Sequence, residues 1–235
     1  MKAALLARLN EARRARCACV LVTDLGGGGQ RFVPAEEAAA DPLGERIEQR
    51  LRLGKSGVVE ENGRQYFLTV QTPPTRLVVI GAVHIAQALS TMAKLADFDV
   101  TVIDPRTAFA TPERFPDGQV IPEWPDVALE RVGLDRYTAV AALTHDPKID
   151  DPALTLALRA ECFYIGALGS KKTHGRRVER LRAAGFDQGE IGRVHAPIGL
   201  DIGAVSPAEI AVSILGQIVL SLRKKPLRGG VERAA

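Results

Sequence analysis

The stretch from Leu77 to Asp104 limits this chain most. Residues 77–80 are a short run of buried-strand type, and Gly81-Ala82-Val83-His84-Ile85-Ala86 follows at once. A helical pattern covers residues 83–96. A second apolar run at 100–103 ends on Asp104. Two buried strands joined through a helix must lie parallel, with a right-handed crossover. The pattern then continues. Strands are expected at 137–143 and 163–165, with helices at 152–161, 171–184 and 207–222. The helix at 171–184 is expected to carry its Arg and Lys residues outward. The last has Ser206 as its N-cap and Glu209 in its first turn. A proline-rich loop, 105–125, holds a short strand at 119–121. Alternating strands and helices give an α/β class with a Rossmann-like parallel sheet.

The first 73 residues have a different texture. A helix is expected at 2–16, a strand at 17–23, and a loop at Gly26, Gly27, Gly28 and Gly29. Asp41-Pro42 opens a helix reaching Leu53. Residues 57–60 and 66–71 form a hairpin around Asn62-Gly63. Pro73-Pro74 marks the boundary. The expected organisation is a small α+β domain over 1–73 and the Rossmann-like domain over 74–235.

Charge and cysteine content narrow the function. Lys and Arg number 31 against 28 Asp and Glu, for a net charge of +3. That balance does not provide a basic face for nucleic acid. Arg223, Lys224, Lys225 and Arg228 do cluster, and read as a solvated tail. Cys17, Cys19 and Cys162 make no disulfide framework and no zinc spacing, so a reduced cytoplasmic setting is expected. Cys17 and Cys19 read as parts of a buried strand, and Cys162 as core. No apolar run is long enough for a membrane span, and the N-terminus lacks the apolar stretch of a signal peptide.

The candidate ligand contacts fall at strand ends. Gly81 makes the tight turn of a dinucleotide fingerprint, and Ala86 allows close helix packing. Val83 stands where a glycine normally lets backbone reach a pyrophosphate. Asp104 has the position of the acid that takes ribose hydroxyls. His84 opens the first helix. Thr144-His145-Asp146 follows the strand at 137–143, and His145 reads as a hydrogen-bond donor to ligand or as a loop contact to Asp150 or Asp151. Gly166, Gly169 and Ser170, with Lys171 and Lys172, precede one helix; Gly199, Asp201 and Gly203 precede another. Both suit a phosphate at a helix N-terminus. Asp201 reads either as a ligand contact or as a turn-forming residue. His174 and His195 are expected at the surface.

Five ordered blocks add a resemblance. They are Asp104-Pro105-Arg106 with Phe109-Ala110-Thr111-Pro112-Glu113-Arg114-Phe115; Thr144-His145-Asp146 with Asp150 or Asp151 and Leu154; Tyr164-Ile165-Gly166-Ala167-Leu168-Gly169-Ser170; Pro197-Ile198-Gly199-Leu200-Asp201-Ile202-Gly203-Ala204; and Ser206-Pro207-Ala208-Glu209-Ile210-Ala211-Val212-Ser213-Ile214-Leu215. Together, from Leu77 to Leu222, they resemble the XdhC/CoxI family, accessory proteins of xanthine dehydrogenase and carbon monoxide dehydrogenase. The resemblance implies a cofactor-handling chaperone, and leaves open whether the chain is also an enzyme. It would bind molybdenum cofactor, a phosphate-bearing molybdopterin or its dinucleotide form, support its sulfuration, and deliver it to an apo molybdenum hydroxylase. A cysteine desulfurase is a further implied partner, and a homodimer is left open. Residues and resemblance together give a cofactor-binding set of Gly81, His84, Asp104, Arg106, Thr144, His145, Asp146, Gly166, Gly169, Ser170, Lys171, Gly199 and Asp201, with no catalytic or metal-ligating residue.

Two features depart from the family pattern. No Gly-Gly-Cys segment is present, and Val83 replaces the middle glycine of Gly-Ala-Gly-His. Two other readings therefore stand beside the chaperone. One is an NAD(P)-dependent oxidoreductase or nucleotide-using transferase, with His145 as its acid/base candidate. The other is a ligand-free interaction module.

Overall fold

The structure is a computed structural model, and it describes residues 3–116 and 118–224. The chain divides into two compact units, with the boundary between Pro73 and Pro74.

In the first unit, four antiparallel strands run β1 Cys19–Asp24, β2 Gln30–Pro34, β3 Gly57–Glu61 and β4 Arg64–Gln71, in the order β2-β1-β4-β3. Helix α1, Ala3–Arg14, packs Leu9 and Ala12 against Cys19 and Leu21. Helix α2, Gly44–Leu53, buries Ile47 and Leu51. Strand β2 is unforeseen. It makes the four-glycine loop the tip of a hairpin, where Asp24 Oδ1 accepts the amides of Gly26 at 2.9 Å and Gly27 at 3.0 Å. As an edge strand ending in Pro34 it carries little of the apolar signal that marks a strand in sequence. Cys17 lies outside β1 and is exposed, contrary to expectation, whereas Cys19 is buried.

The second unit holds a six-stranded, wholly parallel sheet. Its strands are β5 Arg76–Ile80, β6 Asp99–Ile103, β7 Gln119–Ile121, β8 Thr138–Ala142, β9 Tyr164–Ala167 and β10 Val194–His195. Their order is β10-β9-β8-β5-β6-β7, so the direction of winding reverses between β5 and β8. Helices α3 His84–Leu95 and α8 Pro207–Lys224 pack on each other and close one core around Leu77, Val79, Leu89, Val102 and Ile214. The other core lies under α4 Pro125–Val132, α5 Pro147–Arg159, α6 Lys171–Ala183 and the short α7 Gln188–Ile191. It gathers Val78, Ile80, Val140, Leu154, Leu181 and Ile191. Strands buried on both faces require such continuous apolar runs.

Elements α4, α5 and α6 differ from expectation, and α7 and β10 are unforeseen. Helix α4 emerges from the region assigned to the proline-rich loop and beyond it, with Pro125 at its start. Helix α5 begins at Pro147, not at Pro152, because the Asp146 side chain caps it by accepting the Lys148 amide. Pro152 then lies inside the helix. Helix α6 does not turn all its basic residues outward: Arg177 is buried. The tail residues Lys225 and Arg228 lie outside the described residues. Among the described residues, no helix is long and apolar enough to cross a membrane, and no cluster of three His, Cys, Asp or Glu side chains is arranged to hold a metal.

Candidate functional site

The carboxyl ends of β5, β6, β8 and β9 bring the predicted loops together at the reversal of strand order, the position where open α/β sheets form a ligand crevice. Gly81 ends β5 with φ of +109°, and a Cβ there would lie 2.7 Å from Thr144 Cγ2. The turn after β5 and the loop after β8 therefore meet at a contact that only glycine allows. Val83 is the extended N-cap of α3 and packs against the core. It makes no side-chain cap bond, so the first turn of α3 keeps its amides uncapped. His84 opens the helix and is exposed.

Asp104 stands at the predicted tip of β6, but it faces inward. Oδ2 accepts the Ala82 amide at 2.8 Å and Arg106 Nη2 at 2.7 Å. Oδ1 accepts the Arg106 amide and Arg106 Nε, each at 2.9 Å. The residue is fully buried. Burial pushes its carboxyl up, but the Arg106 side chain and the Arg106 and Ala82 amides outweigh burial and hold it below the ordinary range. The expected ribose acceptor is thus occupied by the protein itself.

Phe109 lies under the Arg106 guanidinium at 4.9 Å and near that of Arg114 at 5.7 Å. Arg114 Nη1 donates to the carbonyls of Ala82 and Phe109, each at 2.8 Å, and Nη2 donates to Gln87 Oε1 at 3.0 Å. This arginine ties the loop after β6 to the start of α3. Its place in a block was legible, but its partners, far along the chain, were not.

After β8, Thr144 Oγ1 donates to Asp150 Oδ1 at 2.7 Å, and Asp146 serves as the cap of α5. His145 is exposed and adopts φ of +63°. A Cβ on Gly169 would come within 3.8 Å of His145 Nδ1, so the loops after β8 and β9 meet there. Beneath them, Asp150 and Arg177 are both buried. Burial pushes the Asp150 carboxyl up and the Arg177 guanidinium down, and their mutual attraction only partly offsets it. Arg177 Nη2 also donates to the Leu168 carbonyl at 3.1 Å. Ser170 caps α6 by accepting the Thr173 amide, and Lys171 is exposed beside it.

Two predicted glycines have other roles. Gly166 is buried within β9, where a Cβ would lie 2.6 Å from Ile198 and from the Tyr164 hydroxyl. It provides room for packing and not an amide for phosphate. Gly199 donates its amide to Gln217 Oε1 at 2.9 Å, and that oxygen also accepts the Tyr164 hydroxyl at 2.7 Å. Asp201 is exposed on the loop after β10, the edge strand. His195 is half-buried and stacks on Tyr164 with ring centroids 5.0 Å apart. His174 is half-buried as well, with Nδ1 enclosed and without a partner among the described residues. Both depart from the expected surface placement.

Residues 77–218 match the family model of the XdhC Rossmann domain. The chain belongs to the XdhC family. Among curated relatives, the uncharacterized protein YqeB of Escherichia coli K12 is 32% identical over 157 residues, 65% of this chain and 28% of that protein. The molybdenum cofactor insertion chaperone PaoD, also of Escherichia coli K12, is 30% identical over 146 residues, 62% of this chain and 40% of PaoD. A probable xanthine dehydrogenase subunit of Bacillus subtilis 168 is 30% identical over 153 residues, 65% of this chain and 44% of that protein. The chain thus spans less than half the length of these relatives. A crystal structure described as a xanthine dehydrogenase from Bacillus halodurans superposes with a TM-score of 0.66 at 26% identity, covering 94% of this chain and 67% of that one.

In this XdhC-family chain, then, Gly81, His84, Arg106, Thr144, His145, Gly169, Ser170 and Lys171 fall in the segments that follow the carboxyl ends of β5, β6, β8 and β9. Asp104, buried, and Asp146, exposed as the cap of α5, hold the loops. Gly166, Gly199 and Asp201 lie elsewhere.

Proposed function

We propose that this chain binds molybdenum cofactor at the carboxyl edge of its parallel sheet and supports the maturation and insertion of that cofactor into a molybdenum hydroxylase of the xanthine dehydrogenase type. The observations that carry the reading are the XdhC Rossmann domain match over residues 77–218 and the 30% identity to a relative named as a molybdenum cofactor insertion chaperone. The crevice fits such a ligand in its chemistry. The uncapped first turn of α3 offers amides, Arg106 offers a guanidinium, and Lys171 a further cation. These are groups for a phosphate. Among the described residues of the second unit no thiol is open to a metal, since Cys162 is buried and burial pushes its thiol up to about 12. The protein would therefore hold the cofactor by its phosphate and its pterin, leaving the metal end for transfer.

When bound, the cofactor carries the molybdenum centre that a recipient hydroxylase uses. The chain's own residues bind and orient. Arg106 and the α3 amides fix the anionic end, and His145, exposed on the facing loop, donates to the ligand across the crevice. In this reading the protein works in the cytoplasm, accepts cofactor whose sulfuration a cysteine desulfurase supplies, and takes either molybdopterin or its dinucleotide form. A nicotinamide dinucleotide suits the site less well. Val83 narrows the approach to the first turn, and Asp104 has no free oxygen for a ribose.

Co-expression tests the assignment. A molybdenum hydroxylase produced with this chain is expected to carry more pterin and more activity than one produced without it. Equal cofactor loading in both preparations, with the chain expressed and folded, would remove the chaperone function.

A further inference from the structure

We propose that Arg106 is the anion reader of this crevice, and that it fits the chain to a ligand bearing a phosphomonoester in place of an unphosphorylated ribose. The proposal rests on the cofactor-binding reading and specifies which group of the ligand is recognised.

The tip of the second parallel strand decides what a fold of this kind reads. An acid there accepts from ribose hydroxyls, and an arginine nearby takes a phosphate. Here the acid is present but closed. Each Asp104 oxygen already accepts two N–H groups, and the residue is fully buried. A ribose diol approaching it would find no acceptor.

What reaches the surface is Arg106, whose side chain is 39% exposed. Its fork on Asp104 uses Nε and Nη2, leaving Nη1 outside the fork. The guanidinium is also fixed in plane by the Phe109 ring at 4.9 Å. Phe109 is in turn near Arg114, which is bonded to the Ala82 and Phe109 carbonyls. The same Ala82 gives its amide to Asp104. One network thus joins Arg106, the turn after β5 and the uncapped start of α3. A guanidinium held this way loses little freedom on binding an anion. The negative charges of Asp146 and Asp150, on the β8 side, also favour its charged form and oppose an incoming anion. The buried carboxylate offsets part of the positive charge, so the expected preference is moderate and depends on geometry.

The test is equilibrium fluorescence titration of the full chain with the oxidised pterin derivative of molybdopterin, in its phosphomonoester form and after phosphatase treatment. The wild-type chain is expected to bind the phosphomonoester roughly tenfold more tightly, the size of one charge-assisted hydrogen bond. Arg106→Gln is expected to lose most of this preference, keeping only the part that the α3 amides and Lys171 supply. Arg106→Lys, a point charge without the fork, is expected to keep an intermediate preference. If Arg106→Gln keeps the full wild-type preference, the proposal is overturned and pterin binding stands. Equal wild-type affinity for the two forms overturns it as well. Binding of neither form by the wild-type chain removes the cofactor reading and the proposal together.

Discussion

Arg177 Nη2 lies 3.9 Å from Asp150 Oδ2, and neither side chain is more than 2% exposed. The distance is too long for a hydrogen bond, and Asp150 Oδ2, Arg177 Nε and Arg177 Nη1 have no hydrogen-bond partner among the described residues. This pair joins two loops of the crevice, since Asp150 holds Thr144 and Arg177 holds the Leu168 carbonyl.

Arg177→Met is expected to cost about 3–5 kcal/mol near neutral pH, because it leaves a buried carboxylate uncompensated. Asp150 already titrates above its ordinary value, chiefly through burial. A raised carboxyl contributes its stability below the unfolded pKa and loses it as pH rises through the folded pKa. The variant, which raises Asp150 further, should recover stability in acid. Urea unfolding at about pH 5 and about pH 8 measures this. A deficit that does not shrink in acid would contradict the pairing.

Asp104 gives the opposite sign. Its folded pKa is held below the ordinary 3.8, so its contribution is present above that value and lost as pH falls through the folded pKa. Asp104→Asn should destabilise by about 1–3 kcal/mol at neutral pH. Its partner Arg106 can turn to water, which keeps the loss below that of a sealed pair. The gap between variant and wild type should close as the pH is lowered below 3.8. Acid titration of unfolding, followed by circular dichroism, reads the result.

Gly81→Ala should be far more costly than Gly54→Ala. At Gly81 a Cβ meets Thr144 Cγ2 at 2.7 Å in a backbone at φ of +109°. Gly54, the αL C-cap of α2, has nothing within 4 Å. The Gly54 variant should lose about 1–2 kcal/mol, the left-handed penalty alone. Combining Gly81→Ala with Thr144→Ser removes the methyl and should restore part of the loss. Equal denaturation midpoints for the two single variants would contradict the contact.

Strands β5, β6, β8 and β9 were legible because doubly buried strands carry continuous apolar runs, and helices with their own period follow β5, β8 and β9. Strand β2, helix α7 and strand β10 were not, since an edge strand or a piece of two to four residues has too little pattern. The crevice was legible in position, because glycine turns and polar residues collect at strand ends. It was not legible in orientation. Nothing local shows that Asp104 turns inward to Arg106, or that the Gly199 amide goes to Gln217. Arg177 was misread for the same reason: amid a run of arginines, the one that finds a carboxylate 27 residues away looks like its neighbours.

Gln217 should matter more than Tyr164 to the loop after β10. Tyr164→Phe removes one donor from Gln217 Oε1 and should cost about 0.5–1.5 kcal/mol. Gln217→Leu leaves both the Tyr164 hydroxyl and the Gly199 amide without that acceptor, and should cost about twice as much or more. Chemical denaturation of the two variants ranks them, and the reverse order would show that the Gly199 bond contributes little.

Pterin carried by the purified chain reads cofactor binding without any added ligand. The full chain is purified without oxygen from cells that make molybdenum cofactor, then oxidised, and its pterin fluorescence is measured per protein. The wild-type chain is expected to carry pterin. His145→Ala, exposed on the crevice, should carry several-fold less while unfolding at the wild-type denaturant concentration. A wild-type chain that retains no pterin, yet binds NAD(P)H tightly in a parallel titration, would make it a nicotinamide-binding protein and not a handler of molybdenum cofactor.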